Sequence, residues 1–335
     1  METAQFYRRL DEKRILCYLC PRYCKLKPGQ IGFCQVRQNI GGELKSLVYG
    51  KPYAVNVDPI EKKPLFHFLP GSKILSIGTA GCNMACKYCQ NWNLSDTKFE
   101  EERSIYLPPE RVIQLAVHYK TRSIAYTYNE PTIFAEYVMD TARLSQSMKL
   151  KNVMVTNGYI TLEAIDQVYQ HIDAANVDLK AFSEQFYSKL TLSHLQPVLD
   201  CLKRLKQLNK WIEITNLIIP TYNDQEKEVT ALCEWILQEL GPFVPLHFSA
   251  FHPEFKLTHV PPTTPSTLIK FRRLAMKLGI KYVYVGNISD SEGNNTYCHN
   301  CSTLLIRRSW YHTECIGLEL TKCKKCGAVI PGILN

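Results

Sequence analysis

The chain has 335 residues, 40 lysines and arginines against 31 aspartates and glutamates, 45% apolar residues and 14 cysteines. An apolar fraction near the globular average, without a low-complexity tract, excludes a disordered polymer and a fibre. A chain of this length is near the size at which a single core divides. We therefore expect one large domain of roughly 200–250 residues with smaller appendages.

The N-terminal segment and the cysteine content indicate a cellular compartment. The first 20 residues contain no apolar stretch of signal-peptide type, and no later window approaches the ~20 apolar residues of a membrane span. We therefore expect a cytoplasmic protein that does not contact a membrane. Because disulfides are rare in a reducing compartment, this many cysteines indicate metal ligation or redox chemistry.

The cysteines fall into groups that suggest three regions of the chain. Four lie near the start, three lie close together after residue 80, and five lie near the end, so only Cys201 and Cys233 occupy the long middle. We predict a cysteine-rich metal-binding segment over residues 1–65, a central domain over 66–290 and a cysteine-rich module over 291–335. Cys201 and Cys233 lie on the apolar sides of predicted helices and are interpreted as packing residues.

The middle of the chain alternates short β-branched or aromatic runs with longer amphipathic stretches, which is typical of βα units. The predicted strands are 73–78, 123–128, 152–156, 174–179, 212–219 and 245–251, with 280–285 as a possible extra strand. The predicted helices are 109–120, 132–148, 195–208 and 226–240. Six such units predict an α/β fold with a partial (β/α)6 barrel, and a doubly wound sheet is the alternative. In either architecture the functional residues collect at the carboxyl ends of the parallel strands.

A cysteine loop follows the first predicted strand. Cys82, Cys86 and Cys89 form a Cys-x3-Cys-x2-Cys pattern within GTAGCNMACKYCQNW. Three thiolates can hold three irons of a [4Fe-4S] cube and leave the fourth iron free to bind another molecule. A zinc site is the alternative, although zinc would require a fourth ligand and more usually two Cys-x2-Cys pairs.

Polar residues recur at the ends of the predicted strands. Glu130 ends the second strand, and Pro131 after it also allows Glu130 to be a helix-capping residue. Asp178 and Lys180 share the strand face that points into the barrel, where they either bind something or pair with each other. Glu213 and Thr215 also face inward, and Asn157 and His252 follow strand ends.

The C-terminal cysteines form two Cys-x2-Cys pairs. Cys298 and Cys301 are followed, after 21 residues, by Cys323 and Cys326. Two such pairs at about this separation indicate a structural Zn²⁺ site of the zinc-ribbon kind. An auxiliary iron–sulfur cluster is the alternative, and Cys315 remains without a predicted ligand role.

The N-terminal cysteines also indicate a metal site. Cys17, Cys20, Cys24 and Cys34 lie within CYLCPRYCKLKPGQIGFC. Their spacing suits either a four-thiolate Zn²⁺ site or a second iron–sulfur cluster, and it does not decide between them.

The central loop resembles the signature of radical S-adenosylmethionine (SAM) enzymes, with Tyr88 where that family places an aromatic ring beside the adenine. The fragments VTNGY, VDLKAF and FHP resemble the pyruvate formate-lyase activating enzyme group, although Val155 stands where that enzyme has an acidic residue. The resemblance implies that Glu130 accepts from the amino group of SAM. The implied SAM-pocket residues are Tyr88, Tyr128, Asn129, Glu130, Asn157, Asp178, Lys180, Thr215, Asn216 and His252.

Over residues 15–333 the chain resembles the AmmeMemoRadiSam system radical SAM family, by CxLCPRxC with GxxGxC, CNMACKYCQNW, TYNEPT, HFSAFHPEFKLTHVPPT, KYVYVGN and the ending CGAVIPG. The resemblance implies reductive cleavage of SAM by the cluster. The product is a 5′-deoxyadenosyl radical that abstracts hydrogen from an unidentified substrate, and glycyl-radical activation is one reaction that the resemblance allows. It also implies a flavodoxin- or ferredoxin-like electron donor and association with Memo-like and AMMECR1-like proteins.

A metal-stabilised nucleic-acid binding module is the alternative function, motivated by the net charge of +9 and the predicted ribbon. Basic charge by itself gives mostly nonspecific, salt-dependent affinity. Thiolate-bound metal centres at all three sites roughly halve the formal positive charge. This reading also leaves the three central cysteines unexplained, so we do not expect a nucleic-acid partner.

Overall fold

The computed structural model describes residues 2–309 and 312–335, and its N-terminal part consists of two small antiparallel sheets. One sheet has the order β1-β6-β5 and the other the order β2-β3-β4. The strands are β1 (Glu2–Thr3), β2 (Tyr7–Arg9), β3 (Ile15–Cys17), β4 (Lys25–Leu26), β5 (Arg37–Ile40) and β6 (Glu43–Ser46). We call residues 2–48 the N-terminal lobe.

The central domain is built on one eight-stranded sheet. Its strands are β7 (Ala54–Pro59), β8 (Lys73–Gly78), β9 (Ser123–Tyr126), β10 (Lys151–Thr156), β11 (Ala174–Asp178), β12 (Trp211–Ile218), β13 (Leu246–Ala250) and β14 (Val283–Gly286). Strands β8 to β14 are parallel, and β7 pairs antiparallel with β8. The strands lie side by side in chain order without a reversal, which excludes the doubly wound alternative.

Helices connect the parallel strands. The α-helices are α1 (Trp92–Ser95), α2 (Pro109–His118), α3 (Ala135–Ser145), α4 (Leu162–Val168), α5 (Glu184–Phe186), α6 (Gln196–Gln207), α7 (Glu226–Trp235), α8 (Pro265–Leu278) and α9 (Ser291–Asn294). The 3₁₀ turns are Asp11–Lys13, Ile60–Lys62, Glu101–Arg103, Pro131–Phe134 and Gln146–Met148, and π turns at Tyr187–Thr191 and Ile236–Leu240 extend two of the helices. Because helices and loops cover the sheet, its strands are apolar along most of their length, as in β8.

The C-terminal part of the chain forms a small module that packs against the sheet. Its strands are β15 (Thr296–Tyr297), β16 (Leu304–Ser309), β17 (His312–Cys315), β18 (Leu318–Glu319) and β19 (Lys322–Cys323). The buried Arg308 donates to the carbonyl of Phe66 over 2.7 Å, and the Leu69 N–H donates to Ile333 O. His67 joins the same contact, because its ring bonds both Pro331 O and the Tyr284 hydroxyl at 2.7 Å. The module is therefore fastened to the segment between β7 and β8.

The predicted α/β fold is confirmed, with all six predicted parallel strands and the extra one present. The sheet does not close among the described residues, since β7 and β14 are its edges. The edge strand β7 lies within residues 1–65, which the sequence analysis treated as a separate metal-binding segment. The chain therefore enters the central sheet before residue 66. No helix in the described ranges is long and apolar enough to cross a membrane.

Candidate active site

The central cysteines lie in the loop that follows β8, at the carboxyl end of the first parallel strand. Asn129, at the end of the neighbouring strand, fixes the start of this loop. Its side-chain N–H group donates to Thr79 Oγ1 and to the carbonyls of Ala80 and Gly81 over 2.9–3.1 Å, while its oxygen accepts from the Thr79 N–H. These bonds use the hydrogen-bonding capacity of the amide, so Asn129 acts here as a positioning residue.

Gly81 brings the N-terminal lobe against this loop. It has φ +84°, and a Cβ at this position would lie 2.1 Å from the carbonyl oxygen of Cys34. Only glycine combines this backbone conformation with so close an approach. The backbone of Cys34 therefore abuts the residue immediately before Cys82.

The three central thiols are suited to hold a cationic cluster. Burial raises the pKa of the Cys82 thiol well above its usual range and that of Cys86 to about 11. Irons bound to the sulfurs reverse this preference, because their positive charge stabilises the thiolates. The Met84 N–H points at Cys82 Sγ over 3.4 Å, so a donor is already in place for a thiolate. The donor set and its surroundings fit a cluster held by three cysteines.

An open cavity lies beside these cysteines. It is lined by all three of them and by eight of the ten residues predicted for the SAM pocket: Tyr88, Tyr128, Asn129, Glu130, Asn157, Asp178, Lys180 and Thr215. These residues come from the cysteine loop and from the ends of β9 to β12. The sheet therefore brings together positions that span residues 82 to 215.

Glu130 is a buried carboxylate with hydrogen bonds but no ion-pair partner among the described residues. Its side chain is 2% exposed and accepts from the N–H groups of Thr132 and Asn157 and from the Thr156 hydroxyl over 2.7–2.9 Å. It therefore caps the following 3₁₀ turn, as the alternative interpretation predicted. Burial raises the pKa of its carboxyl group. A ligand cation in the cavity would supply the missing counter-charge.

Two further polar interactions involve residues that line the cavity. Asp178 and Lys180 form an ion pair at 2.9 Å, so they satisfy each other while facing the cavity. The Tyr128 hydroxyl donates to Asp58 over 2.7 Å. Lys63, which is 3% exposed, also pairs with Asp58 at 2.7 Å and lies 4.6 Å from the centre of the Tyr128 ring.

Two predicted residues lie elsewhere. Asn216 points away from the cavity and donates to the Leu179 carbonyl over 2.7 Å, because it has the opposite strand parity to Thr215. His252 is exposed on the loop after β13 and does not line the cavity. The sequence analysis did not identify nine polar lining residues: Lys62, Lys63, Gln90, Asn91, Ser95, Thr127, Thr156, Ser249 and Asn287. Of these, Ser249 could have been found from its strand parity with His247.

The C-terminal cysteines converge on one point. Sγ atoms of Cys298, Cys301, Cys323 and Cys326 all lie within 4.8 Å of one another. The pairs Cys298–Cys326 and Cys301–Cys323 are 3.6 and 3.7 Å apart. Four sulfurs at about 2.3 Å from one tetrahedral ion are about 3.8 Å apart, so the arrangement fits a single Zn²⁺. Hydrogen bonds from Thr303 lower the pKa of the Cys301 thiol to about 6, which favours the ligating thiolate.

A basic cleft adjoins the outer side of the cysteine loop. It is lined by Lys87, Lys189, Lys256 and His259, and none of the described residues that line it is acidic. Lys87 lies between Cys86 and Cys89, and its carbonyl accepts from the Lys256 N–H over 2.9 Å. The cleft therefore presents positive charge within a few residues of the central cysteines.

The fold and the site define an α/β protein with a three-cysteine cluster site at its strand ends. The model of the radical SAM superfamily matches residues 76–233. An uncharacterized protein of Methanocaldococcus jannaschii, MJ0808, is 44% identical over 336 residues, covering 100% of both chains. The chain belongs to the radical SAM superfamily.

Two further relatives are more distant. The pyruvate formate-lyase 1-activating enzyme of Escherichia coli K12 is 22% identical over 231 residues, which cover 64% of this chain and 93% of that enzyme. The solved structure of a radical SAM methyltransferase from Sphaerobacter thermophilus has a TM-score of 0.52 at 15% identity, covering 71% of each chain. The first is a homologue among activating enzymes, and the second supports the fold alone.

Proposed function

We propose that Cys82, Cys86 and Cys89 bind a [4Fe-4S] cluster and that the adjoining cavity binds SAM. One observation carries the proposal: the three thiols and the uncompensated carboxylate of Glu130 line the same cavity at the strand ends. SAM carries a sulfonium and an ammonium group, so it can supply the positively charged partner that this carboxylate lacks among the described residues. A cluster held by these three cysteines would supply the electron for cleaving SAM to methionine and a 5′-deoxyadenosyl radical, which would take hydrogen from a substrate.

The residues of the chain bind and orient SAM in this proposal. Glu130 holds the cationic end, and Tyr88 supplies an apolar wall, since its ring is buried and packs on Phe186 at 5.8 Å between centres. Asp178 and Lys180 offer one acceptor and one donor for the polar groups of SAM. Asn129 and Asn157 keep the cysteine loop in place, because Asn157 Nδ2 donates to Asn83 Oδ1 over 2.9 Å.

The test is SAM cleavage by anaerobically reconstituted protein reduced with dithionite, with 5′-deoxyadenosine measured by mass spectrometry. We expect Cys86→Ala to abolish the product, because it removes one cluster ligand. Cys315→Ser is the matched control, since Cys315 is exposed and lies outside the three cysteine groups' ligand sets. Unchanged product formation in Cys86→Ala would overturn the assignment.

The hydrogen donor that we propose is a polypeptide backbone, because the chain resembles activating enzymes of glycyl-radical proteins. The resemblance to the AmmeMemoRadiSam system supports Memo-like and AMMECR1-like proteins as partners. Incubation of the reduced enzyme and SAM with each candidate protein tests this by electron paramagnetic resonance. A backbone radical supports activase chemistry, and SAM turnover without one in any partner argues against it.

The C-terminal cysteines bind a structural Zn²⁺ in this proposal. The sulfur separations of 3.6 and 3.7 Å support it, since they match the edges of a zinc–thiolate tetrahedron. Metal analysis tests the assignment, with about one zinc per chain expected from this site.

The electron donor that we propose is an acidic flavodoxin- or ferredoxin-like carrier that docks at the basic cleft. Reductive cleavage requires an electron from outside the chain. Charge complementarity between an acidic carrier and Lys87, Lys189 and Lys256 would accelerate docking next to the cluster loop.

A further inference from the structure

We propose that Cys17, Cys20, Cys24 and Cys34 bind a second iron–sulfur cluster of the [4Fe-4S] type, rather than a single Zn²⁺. The proposal goes beyond the function proposed above and does not depend on SAM chemistry. The sequence spacing allowed both metals, and the contacts within the N-terminal lobe distinguish them.

The four cysteines of the lobe line one small cavity. Its other walls are apolar, apart from Arg22 and Arg37, and include Leu19, Leu26, Phe33 and Ile133. An apolar cavity into which four thiols project is a poor site for water and a suitable one for a sulfur-rich cluster. The guanidinium group of Arg22 can offset part of the negative charge that four thiolates bring, whereas that of Arg37 is paired with Glu136.

Backbone hydrogen bonds hold the cysteine-bearing segments of the lobe together. The Cys17 N–H donates to the Cys24 carbonyl over 3.0 Å, and the Gly32 N–H donates to the Arg37 carbonyl over 2.8 Å. Gly32 allows the loop to approach, since a Cβ at that position would lie 3.7 Å from Cys24 Sγ and 3.8 Å from Cys34 Sγ. The fold of the lobe therefore brings the four thiols together around one cavity.

The separation of the sulfurs distinguishes a cluster from a single ion. Ligands of one Zn²⁺ must all lie near the tetrahedral edge of about 3.8 Å, as the C-terminal cysteines do. Among the residues that the structure describes, only that C-terminal group has all its sulfurs within 4.8 Å of one another. The four N-terminal sulfurs and the three central sulfurs do not form such a group. Ligands of different irons in one cube lie farther apart than ligands of one ion, so a cluster accounts for both sets.

The site is joined directly to the central cysteine loop. Arg22 Nε donates to the Asn83 carbonyl over 2.9 Å, and the backbone of Cys34 abuts Gly81. Asn83 and Gly81 flank Cys82 in the chain. A cluster in the lobe would therefore lie beside the central site. It would be assembled under the same anaerobic conditions as the central cluster.

The decisive variant is Cys82→Ala/Cys86→Ala/Cys89→Ala, reconstituted anaerobically with iron and sulfide and then analysed for metals. We expect about four irons and four sulfides per chain to remain, because only the N-terminal site is left to hold them. Electron paramagnetic resonance of the reduced variant should show a [4Fe-4S]⁺ signal. An iron-free variant with about two zincs per chain would overturn the proposal, as would an iron-free variant with one zinc.

The complementary variant is Cys20→Ser/Cys24→Ser, with Cys315→Ser as its control. We expect it to lose about half of the wild-type iron and to keep the signal of the central cluster, whereas the control keeps all of its iron. Full iron content in the double variant would contradict the proposal. If the double variant does not fold, the central triple variant decides alone. Failure of SAM cleavage in wild-type protein would contradict the proposed function and leave both iron counts valid.

Discussion

The carboxylate of Glu130 accepts a hydrogen bond from the backbone N–H of Asn157 over 2.7 Å, so a buried acid joins the ends of β9 and β10. The same carboxylate caps the turn that begins at Pro131. Its position is thus fixed on both sides by the chain itself. The charge that it carries into the cavity has no cationic partner among the described residues, and this makes it the most informative residue of the site to change.

The first prediction is that Glu130→Gln weakens SAM binding by at least ~10-fold. Glutamine keeps the size of the side chain and an acceptor for backbone N–H groups, but it removes the negative charge. A charge-assisted bond contributes roughly 1.5–3 kcal/mol, and 1.4 kcal/mol corresponds to a factor of ten. Isothermal titration of the reconstituted protein with SAM measures the change.

The matched control for this variant is Glu228→Gln. Glu228 is a partly buried carboxylate that, like Glu130, accepts from a backbone N–H group, that of Phe182 over 2.8 Å, but it does not line the cavity. We expect it to leave SAM affinity unchanged.

The pH profile of SAM binding adds a second measurement for Glu130. Because burial raises the pKa of Glu130, wild-type affinity should fall as the pH is lowered towards that pKa, and the Glu130→Gln profile should be flat.

The parallel strands could be predicted from the sequence because they are buried on both faces and read as continuous apolar runs. The first predicted strand, 73–78, matches Lys73–Gly78 to the residue. The edge strand Ala54–Pro59 was missed because it is antiparallel and partly exposed, with no apolar run. Its pairing brings Lys63 to the cavity, and no local pattern in the sequence reports such a contact.

The site was predictable as far as strand parity extends. Asp178, Lys180 and Thr215, which this rule assigned to the inward face of their strands, line the cavity. The rule ends where the strand ends, and β9 ends at Tyr126, two residues earlier than predicted. Tyr128 lies beyond this strand end and has φ +72°, and His252 lies on an exposed loop. The alternation of side chains along a strand therefore does not give the direction of either side chain.

The second prediction concerns the basic cleft. We expect Lys87→Glu/Lys189→Glu to slow SAM cleavage by ~10-fold or more when an acidic flavodoxin supplies the electrons, because charge reversal opposes docking. The rate with dithionite should stay within about twofold of wild type, since a small reductant needs no docking surface. Raising the salt concentration should reduce the difference between the two proteins.

Lys270→Glu is the control for the charge change. Lys270 is exposed on α8, where it pairs with Glu226 at 2.8 Å, and it does not line the cleft. Its reversal should leave both rates near those of wild type. Equal loss of activity with flavodoxin and with dithionite in the Lys87→Glu/Lys189→Glu variant would contradict the docking proposal, because it would indicate damage to the site itself.

The third prediction concerns the ion pair that joins the N-terminal lobe to α3. Arg37 donates to both oxygens of Glu136 over 2.8 and 2.9 Å, and both side chains are at most 3% exposed. Arg37→Met should reduce the free energy of unfolding by about 3–5 kcal/mol, because it leaves a buried carboxylate unpaired. Urea denaturation measures the loss. The double variant Arg37→Met/Glu136→Leu should recover part of it, and purely additive losses would show that the two residues are not coupled.

The fourth prediction concerns the C-terminal module. Cys323→Ser should remove about one zinc per chain, because it breaks a set of four thiols that surround one position. The module should then become sensitive to proteolysis, since a structural zinc site contributes folding free energy directly. Limited proteolysis and metal analysis measure both effects. Cys315→Ser, in the same module but outside the four, should retain its zinc and its resistance.

The fifth prediction is an acid sensitivity located at His67, beneath the sheet. Burial lowers the pKa of this imidazole to about 4 from 6.5, and its neighbours are Glu213, His247 and Arg308. The unfolded chain therefore takes up a proton at a higher pH than the folded chain. Stability should fall as the pH drops from 6.5 towards 4, by about 2 kcal/mol between pH ~7.5 and pH ~5 from this group alone.

His67→Gln separates this contribution from those of the other acid-sensitive groups. The variant loses the bonds to Pro331 O and the Tyr284 hydroxyl, so its stability at neutral pH should be lower. The informative quantity is the slope. Because the uncharged amide does not titrate, the loss of unfolding free energy between the two pH values should be about 2 kcal/mol smaller than in wild type. Parallel pH profiles for the two proteins would show that His67 is protonated equally in the folded and unfolded states, and the link between the C-terminal module and the sheet would then not depend on a neutral histidine.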